Sequence, residues 1–423
     1  MKTFDIKNIC TPARGGLDFC LLWLVAVLLP YDKIYGNIAI ALAAIWALYR
    51  IIDRKKYGFF TRKAFWSMAL PVLVIVAGIL FSSDIAEGWN FAGHVVSLVV
   101  FPLIVSGLEL NREQVRKILW GFVLAYTFRA VWVSVKLGIT AYQGSFHRHW
   151  YFQEFGNFGG FHPTYMGMYS VFAIILLLYL FRPGQKYGWF LVLGLFHVLF
   201  LFILASRMAL IAFVVAMWIY SLYYWRRNRK DRKWLVAAWI LMSGLSVFIM
   251  SKNRDFQFKF AQMKNISWKY NKYDASSIAT RVAKWKSAIE IGKRNLWTGS
   301  GTGDLPADLL REFRKLDCRQ CLVKKYNNPH NQFLDAFARN GLPGLIAILF
   351  FVGFGFFMAV KERNVFFRMY LWVLVLLLLS ECMLNREKGV EAIAFLHALF
   401  LYGYIAAGTG EKTDEKRGFV ENH

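Results

Sequence analysis

The stretch Leu342–Val360, LPGLIAILFFVGFGFFMAV, decides the fold of this chain. It is long enough for a helix to cross the hydrocarbon core of a bilayer, and it contains no charged residue. Because lipid offers no hydrogen-bond partners to exposed backbone groups, such a stretch must be a helix or part of a closed barrel. Its apolar residues are continuous instead of alternating with polar ones, so the sequence predicts a transmembrane helix.

Further apolar runs lie on both sides of this stretch. They are Leu17–Pro30, Ile38–Ile52, Phe65–Phe81, Phe91–Leu108, Ile118–Leu137, Tyr165–Phe181, Trp189–Ala205, Met208–Trp225, Trp234–Met250, Met369–Leu379 and Ala392–Ala407. Of the 423 residues, 57% are hydrophobic and 18% are charged, which excludes an ordinary soluble domain. The sequence therefore predicts an all-α polytopic membrane protein of about 12 transmembrane helices. No cleavable signal peptide is expected, because the first run lacks a small-residue cleavage site and a second run follows it.

The orientation follows from lysine and arginine, which favour the cytoplasmic side in short loops. With the N-terminus in the cytoplasm, the basic short segments all fall on that side; they centre on Arg54, Arg116, Lys186, Arg229, Arg363 and Lys416. We predict a bacterial inner-membrane protein with both termini cytoplasmic. Residues 1–250 would hold helices 1–9, 251–331 a large periplasmic loop between helices 9 and 10, 332–410 helices 10–12, and 411–423 a cytoplasmic tail.

The segment 251–331 is strongly basic, with 17 Lys or Arg against 7 Asp or Glu. The cytoplasmic bias of basic residues does not explain this excess, because the loop is predicted to lie outside and long loops escape that rule. The net charge of +25 would suit nucleic acid, but nucleic acid is not expected at this face. Membrane lipid head groups, a lipid diphosphate or an anionic glycan are the partners that the charge favours.

Part of this loop is predicted to fold. Ile278–Ile291 has helical apolar spacing, Trp297–Gly303 is a glycine-rich break, and Pro306–Leu316 is a second short helix. Cys318 and Cys321 form a C-x-x-C pair, for which we expect a local disulfide ahead of free thiols. A zinc site lacks a second pair of ligands.

Three ionisable residues stand out on the predicted outer side. Arg207 lies in a tight turn between two apolar runs, Arg281 lies on the first predicted loop helix, and His330 lies in Asn327–Gln332 before a helix. Two guanidiniums can hold phosphate oxygens and an imidazole can accept a proton near neutral pH, as transfer from a diphosphate requires. The structural alternatives are snorkelling to head groups for Arg207, a solvated charge for Arg281 and helix bracing for His330.

Weaker candidates surround these three. His162 and Tyr165 stand where the first outer loop enters a helix, and they would either line a substrate groove or brace the helix. Asn331 and Arg386 are further predicted substrate-binding residues, and Glu381 would either pair with an active-site arginine or orient His330. The remaining polar positions are interpreted as a saccharide-facing or simply solvated loop (His147, Arg148, His149), as packed histidines (His94, His197, His397) and as an unassigned intramembrane charge (Arg129).

Several of these residues occur in an order that resembles a known superfamily. The segment Asn328–Leu345 resembles the signature of the O-antigen ligases and O-antigen polymerases, in which a His-Asn pair precedes a helix and a Gly-Leu-x-Gly-Leu turn. Trp297–Asp304 is similar to the glycine-rich segment of that superfamily. Ser206-Arg207 and Thr280-Arg281 match its two arginine positions, so the likeness runs from Ser206 to Leu345.

This resemblance implies an inverting, metal-independent glycosyltransferase with a GT-C-like membrane fold and no cofactor. Its donor would be a glycan on undecaprenyl diphosphate. His330 would be the general base, while Arg207 and Arg281 would hold the diphosphate. Asp304 and Asp308 are too far apart in the sequence for a D-x-D metal motif.

Four activities are compatible with the residues described so far. A ligase would pass the glycan to lipid A-core, whereas a polymerase would pass it to another lipid-linked unit, and a protein O-oligosaccharyltransferase would pass it to a protein hydroxyl. The basic loop favours the anionic lipid A-core acceptor. A lipid-linked saccharide transporter is less favoured, because the polar candidates gather at one face and the two halves of the chain show no repeat.

Overall fold

The structure is a computed structural model that describes residues 16–31, 33–143, 162–181, 187–204, 206–228, 277–322 and 328–405, with isolated positions between them. Within these ranges the regular elements are all helical. The α-helices are α1 (Gly16–Leu28), α2 (Lys33–Asp53), α3 (Lys63–Ile79), α4 (Ile85–Val95), α5 (Ser97–Gly107), α6 (Arg112–Tyr142), α7 (Pro163–Leu180), α8 (Tyr187–Leu204), α9 (Arg207–Arg227), α10 (Ser277–Arg294), α11 (Leu305–Lys315), α12 (Arg319–Leu322), α13 (Gln332–Lys361), α14 (Val365–Ser380) and α15 (Glu387–Leu401).

Outside residues 251–331, these helices coincide with the predicted apolar runs apart from their ends, and α4 and α5 together cover the run Phe91–Leu108. Within that segment, α10 and α11 coincide with the two predicted short helices. Six stretches in the described residues are long and apolar enough to cross a membrane: α2, the continuous pair α4–α5, α6, α7, α9 and α13. Four more helices, α1, α3, α8 and α14, are apolar but shorter. The all-helical membrane protein is thus confirmed. Twelve spans remain a prediction, and the ninth predicted helix, Trp234–Met250, lies outside the continuously described residues.

Helix α13 is longer than its apolar stretch and bends in the middle. Asn340 and Gly341 leave helical geometry, and Gly341 adopts φ 63° and ψ −151°, a conformation open only to glycine. The bend removes helical partners from nearby carbonyls. Those of Ala338 and Arg339 instead accept hydrogen bonds from the amides of Ser300 and Gly301, at 2.8 and 3.0 Å.

The segment Trp297–Asp304, hereafter the glycine clasp, joins this bend to the end of α3. The Thr302 amide donates to the carbonyl of Gly78 at 3.1 Å, and its hydroxyl donates to that of Ile75 at 2.7 Å. The Asp304 carboxylate accepts from the amides of Ser83 and Asp84 at 2.7 and 2.8 Å. The glycines of this segment therefore permit close backbone packing between two apolar helices.

We expect Gly303→Ala to lower the thermal stability of the protein sharply. An added Cβ at Gly303 would lie 1.9 Å from the carbonyl oxygen of Asp84, so the clasp must shift at a cost of about 3 kcal/mol. Gly353→Ala is the matched control, because no atom lies within 4 Å of its added Cβ and alanine is the better helix former. The measurement is the unfolding midpoint in detergent; equal midpoints for the two variants would contradict this role of the clasp.

Helices α10, α11 and α12 form a small core of their own. It contains Ala283, Ala288, Ile291, Leu305, Leu309, Phe313, Cys318, Cys321 and, from α13, Ala338. The expected disulfide between Cys318 and Cys321 is present. Since Ala338 belongs to this core and the ring of Phe337 lies against Gly292, the described part of the loop is anchored to α13. This anchoring places α10 beside the helix ends described next.

Candidate active site

The centre of the candidate site is a contact between an imidazole and a carboxylate. His330 immediately precedes the cap of α13, and Glu381 is the residue that ends α14. Nδ1 of His330 lies 2.7 Å from Oε1 of Glu381. The His330 side chain is 24% exposed and that of Glu381 is 11% exposed, so the pair is largely withdrawn from solvent but still reachable from one side.

The local sequence fixes the direction of the His330 side chain. The backbone of His330 has φ 50°, in the left-handed region that residues other than glycine rarely occupy. Its amide donates to Oδ1 of Asn328 at 2.9 Å. Asn331 caps α13 by accepting from the amides of Phe333 and Leu334 at 3.0 and 3.1 Å. Strained residues of this kind occur disproportionately at active sites, because the surrounding contacts must hold them in place.

The contact determines which nitrogen of His330 can act as a base. An ionised carboxylate only accepts hydrogen bonds, so Nδ1 must carry the proton and Nε2 keeps its lone pair. Burial raises the pKa of Glu381, but the hydrogen bond from His330, with the charges of His330, Arg281 and His162, holds it below its ordinary value. Glu381 is therefore ionised at neutral pH.

The pKa of His330 is also lowered, and burial is the largest cause. The hydrogen bond and charge of Glu381 oppose this effect, while the charges of Lys284 and Arg281 add to it. His330 is consequently neutral at pH 7 and can accept a proton through Nε2. The arrangement matches the requirement for a general base that is oriented by a carboxylate.

Two arginines from distant parts of the chain stand beside this pair. Nη1 of Arg281, on α10, donates to the carbonyl of Ser380 at 2.8 Å, next to Glu381. Arg207 is the first residue of α9 and is half-buried, and the charge of Arg281 acts on it. Since the two charges are of like sign they repel each other, and an anion bound between them would relieve the repulsion. The structure thus brings Arg207, Arg281, His330 and Glu381 together.

The other predicted residues occupy supporting positions. The buried Tyr165 donates from its hydroxyl to the carbonyl of Cys382 at 3.3 Å, behind Glu381. His162 is exposed, and its Nδ1 accepts from the amide of Thr164 at 3.3 Å to cap α7. Asn331 caps α13, and Arg386 precedes α15 and acts electrostatically on Tyr165. The predicted His147, Arg148 and His149 lie outside the described residues.

One residue of the site was missed by sequence reasoning. Lys284 follows Arg281 by one helical turn of α10, and the residue is only 1% exposed. Its ammonium lies 6.0 Å from the ring centroid of Phe313, and its charge acts on His330. The helical pattern gave no signal for it, because Lys284 lies well away from the apolar face that Ile278, Val282 and Trp285 define and is buried on another side of α10.

The charge balance favours an anionic ligand. Three cations outnumber one carboxylate here: Arg281 acts on Glu381, Arg281 and Lys284 act on His330, and Arg207 is coupled to Arg281. Across the part of the chain that the structure describes, no three His, Cys, Asp or Glu side chains are grouped as metal ligands would be. Bidentate guanidinium contacts are the interaction that phosphate groups commonly receive in proteins, so a phosphate-containing group fits this cluster best.

Comparison with known proteins places this geometry in a family context. Residues 189–349 match the family model described as O-antigen ligase. The chain is also 23% identical over 335 residues to the O-antigen ligase of Salmonella typhimurium, which covers 75% of this chain and 76% of that protein. The matched domain begins before Arg207 and ends after His330, and it includes Arg281. The predicted resemblance is confirmed.

Proposed function

Since this chain is a membrane protein related to the O-antigen ligases, we propose that it transfers a glycan from undecaprenyl diphosphate to lipid A-core. The observation that carries this proposal is the His330–Glu381 contact beside Arg281, whose charge in turn acts on Arg207. A base and two phosphate-binding cations are the parts that such a transfer needs. The reaction is inverting and uses no metal or cofactor.

In the proposed reaction a hydroxyl oxygen of the acceptor attacks the anomeric carbon of the donor glycan. The hydroxyl proton passes to Nε2 of His330, and Glu381 stabilises the imidazolium that forms. The bond between the anomeric carbon and the diphosphate oxygen breaks, and the diphosphate leaves with the electron pair. One displacement inverts the anomeric configuration, so no covalent intermediate with the protein is needed.

The arginines act on the leaving group. Charge builds up on the diphosphate oxygen as the glycosidic bond lengthens, and Arg207 and Arg281 are placed to neutralise it. Such preorganised cations contribute most where water is excluded, and both side chains are partly buried. In this role they replace the divalent cation that many other diphosphate-dependent transferases use.

The proposed location follows from the distribution of charge in the sequence. The chain is placed in the inner membrane with both termini cytoplasmic, so the four residues of the site face the periplasm, where an O-antigen donor and lipid A-core would meet. About 12 helices in a GT-C-like arrangement and the loop 251–331 complete this picture. Membrane lipids are the further partners, and nucleic acid is not one.

The deciding experiment uses purified protein, undecaprenyl diphosphate-linked glycan and EDTA, with lipid A-core or with no acceptor. Release of undecaprenyl diphosphate only when lipid A-core is present supports the ligase. Lengthening of the glycan without core would make the protein a polymerase of O-antigen or exopolysaccharide. If neither occurs, a protein hydroxyl acceptor is tested next; movement of the intact donor across vesicles would instead make the protein a transporter.

Lys284→Met is expected to shift the acidic limb of the kcat/KM profile to higher pH. The charge of Lys284 lowers the pKa of His330, so its removal raises that pKa and leaves less neutral base at a given pH. Methionine keeps the volume of the buried chain. Lys286→Met is the control, because Lys286 is exposed on the same helix. A limb that moves equally in both variants, or not at all, would contradict the role of Lys284.

A further inference from the structure

A buried polar network that the proposed reaction does not use lies behind the His330–Glu381 contact. It consists of Gln332, Asp335 and Arg339 on α13 and of Asn385 in the short 3-10 helix Met383–Asn385. We call these four residues the polar clamp. Gln332, Asp335 and Arg339 are only 4%, 1% and 5% exposed.

The polar clamp ties the start of α13 to the chain that follows α14. Nε2 of Gln332 donates to Oδ1 of Asn385 at 3.0 Å, and Oε1 of Gln332 accepts from the amide of Leu384 at 2.9 Å. Nδ2 of Asn385 donates to Oδ1 of Asp335 at 3.0 Å. Both polar ends of the Gln332 side chain are therefore engaged with the same short helix.

Arg339 extends the polar clamp to the glycine clasp. Its Nε donates to Oδ2 of Asp335 at 3.2 Å, and its Nη1 donates to the carbonyl of Thr302 at 2.6 Å. Its guanidinium also lies 3.7 Å from the ring centroid of Phe91 on α4. Since a buried ion pair seldom stabilises a fold more than apolar residues of similar volume would, a role besides stability fits this network.

We propose that the polar clamp is a positioning device that fixes His330 against Glu381, an inference that rests on the proposed function for its role in transfer. His330 lies two residues before Gln332, and Glu381 lies three residues before Leu384. The two hydrogen bonds of Gln332 thus hold together the same two chain segments that carry the base and its carboxylate. Gln332 acts through His330 and does not touch the reacting atoms.

The alternative is that the polar clamp only stabilises the fold. The pH at which His330 titrates distinguishes the two roles. The charged groups that act on His330 are Glu381, Lys284 and Arg281, and of these Glu381 alone raises its pKa. If loss of the clamp loosens the contact with Glu381, His330 will titrate at a lower pH. If the clamp only stabilises the fold, its loss will lower the stability of the protein and leave the pH at which His330 titrates unchanged.

The test measures how fast diethyl pyrocarbonate modifies His330 in the purified protein as the pH is varied, with peptide mass spectrometry identifying the residue. Neutral imidazole is the reactive form, so the midpoint of the rate against pH reports its titration. Glu381→Gln, which removes the carboxylate charge, gives the reference shift to lower pH. Gln332→Leu is expected to shift the midpoint in the same direction, and the double variant should shift it no further than Glu381→Gln.

Asn364→Leu is the matched control. Asn364 is 2% exposed, its Nδ2 donates to the carbonyl of Ile405 at 2.6 Å, and its Oδ1 accepts from the amide of Phe367 at 3.0 Å, at the opposite end of α14. Asn364→Leu therefore removes two comparable hydrogen bonds far from His330. In this variant the midpoint of His330 modification should stay at the wild-type value. A midpoint in Gln332→Leu that equals that of Asn364→Leu would overturn the inference. If Gln332→Leu does not fold, Asn385→Ala removes the hydrogen bond from Nε2 of Gln332 from the other side, and the midpoint should shift in the same direction.

A second readout links the polar clamp to transfer. In Gln332→Leu, kcat should fall by about 10- to 100-fold with little change in the KM of the donor, because the misplaced base affects chemistry and not binding. An unchanged kcat would overturn the inference. A wild-type protein without transfer activity would overturn the proposed function instead, while the modification midpoints would still decide whether the clamp holds the pair.

Discussion

His330→Asn is expected to lower kcat for glycan transfer by about 10²- to 10⁴-fold, the usual contribution of a positioned general base. Asparagine tolerates the left-handed backbone that His330 adopts, with φ 50°, so this variant should retain the local fold. It offers no group that takes up a proton near neutral pH. The measurement is the release of undecaprenyl diphosphate from the glycan donor in the presence of acceptor, with donor binding measured separately.

Two further variants sharpen this test. Glu381→Gln should reduce kcat less than His330→Asn, because it removes only the orientation and charge stabilisation of the imidazole. His94→Asn serves as the control. His94 lies on α4, and its Nε2 lies 3.9 Å from a carboxylate oxygen of Glu387, so it is a histidine beside a different carboxylate. Glycan transfer at the wild-type rate in His330→Asn or His330→Ala would contradict the assignment of His330 as the general base.

The positions of the helices could be predicted from the sequence because hydropathy is a local property. The burial of polar residues within one helix could not be predicted in the same way. The sequence predicted a helix after His330 and an apolar run from Leu342, but it did not show that Asp335, Arg339 and Asn340 would be buried. In the structure these three residues are buried, because the glycine clasp and the 3-10 helix Met383–Asn385 supply their hydrogen-bond partners. Partners of that kind are tertiary and leave no mark in the sequence pattern.

The glycine-rich segment illustrates the same limit. Its resemblance to a family motif indicated a role for the segment but did not show whether that role is packing or ligand binding. The structure indicates packing: Gly299 has φ 61° and Gly301 has φ 93°, and both pass within van der Waals range of neighbouring backbone. Sequence alone cannot distinguish such a packing role from a ligand-binding loop, since both need residues without side chains.

The sequence identified the residues of the site individually, but it could not show that their side chains lie close together in the fold. Arg281 reaches the carbonyl of Ser380 across a sequence separation of 99 residues, and that contact depends on how α10 packs against α13. The sequence left open whether Glu381 pairs with an arginine or orients His330. In the structure Nδ1 of His330 donates a hydrogen bond to the carboxylate of Glu381. The charge of Arg281 also acts on Glu381, so Glu381 contacts the imidazole and lies within electrostatic reach of the guanidinium. Their roles in transfer stay proposals until the variants are measured.

Arg281→Met is expected to lower kcat by about 10²- to 10³-fold, the usual loss when one preorganised donor to a developing charge is removed. Arg281→Lys should recover only part of this loss, because an ammonium keeps the charge but cannot form the bidentate fork. Arg311→Met is the control: Arg311 is exposed on α11 of the same loop and pairs with Asp308, so transfer should be unchanged. The readouts are kcat and inhibition by the product undecaprenyl diphosphate, which should weaken only in the Arg281 variants.

The same reasoning extends to Arg207, whose charge is coupled to that of Arg281. If both guanidiniums hold one diphosphate, Arg207→Met should resemble Arg281→Met, and the double variant should lose less than the product of the two single losses. Additive losses would mean that the two residues act on separate groups. Since salt screens the attraction between the two guanidiniums and the diphosphate, product inhibition should also weaken as the salt concentration rises in the wild type. An inhibition constant that is insensitive to salt would contradict a shared diphosphate site.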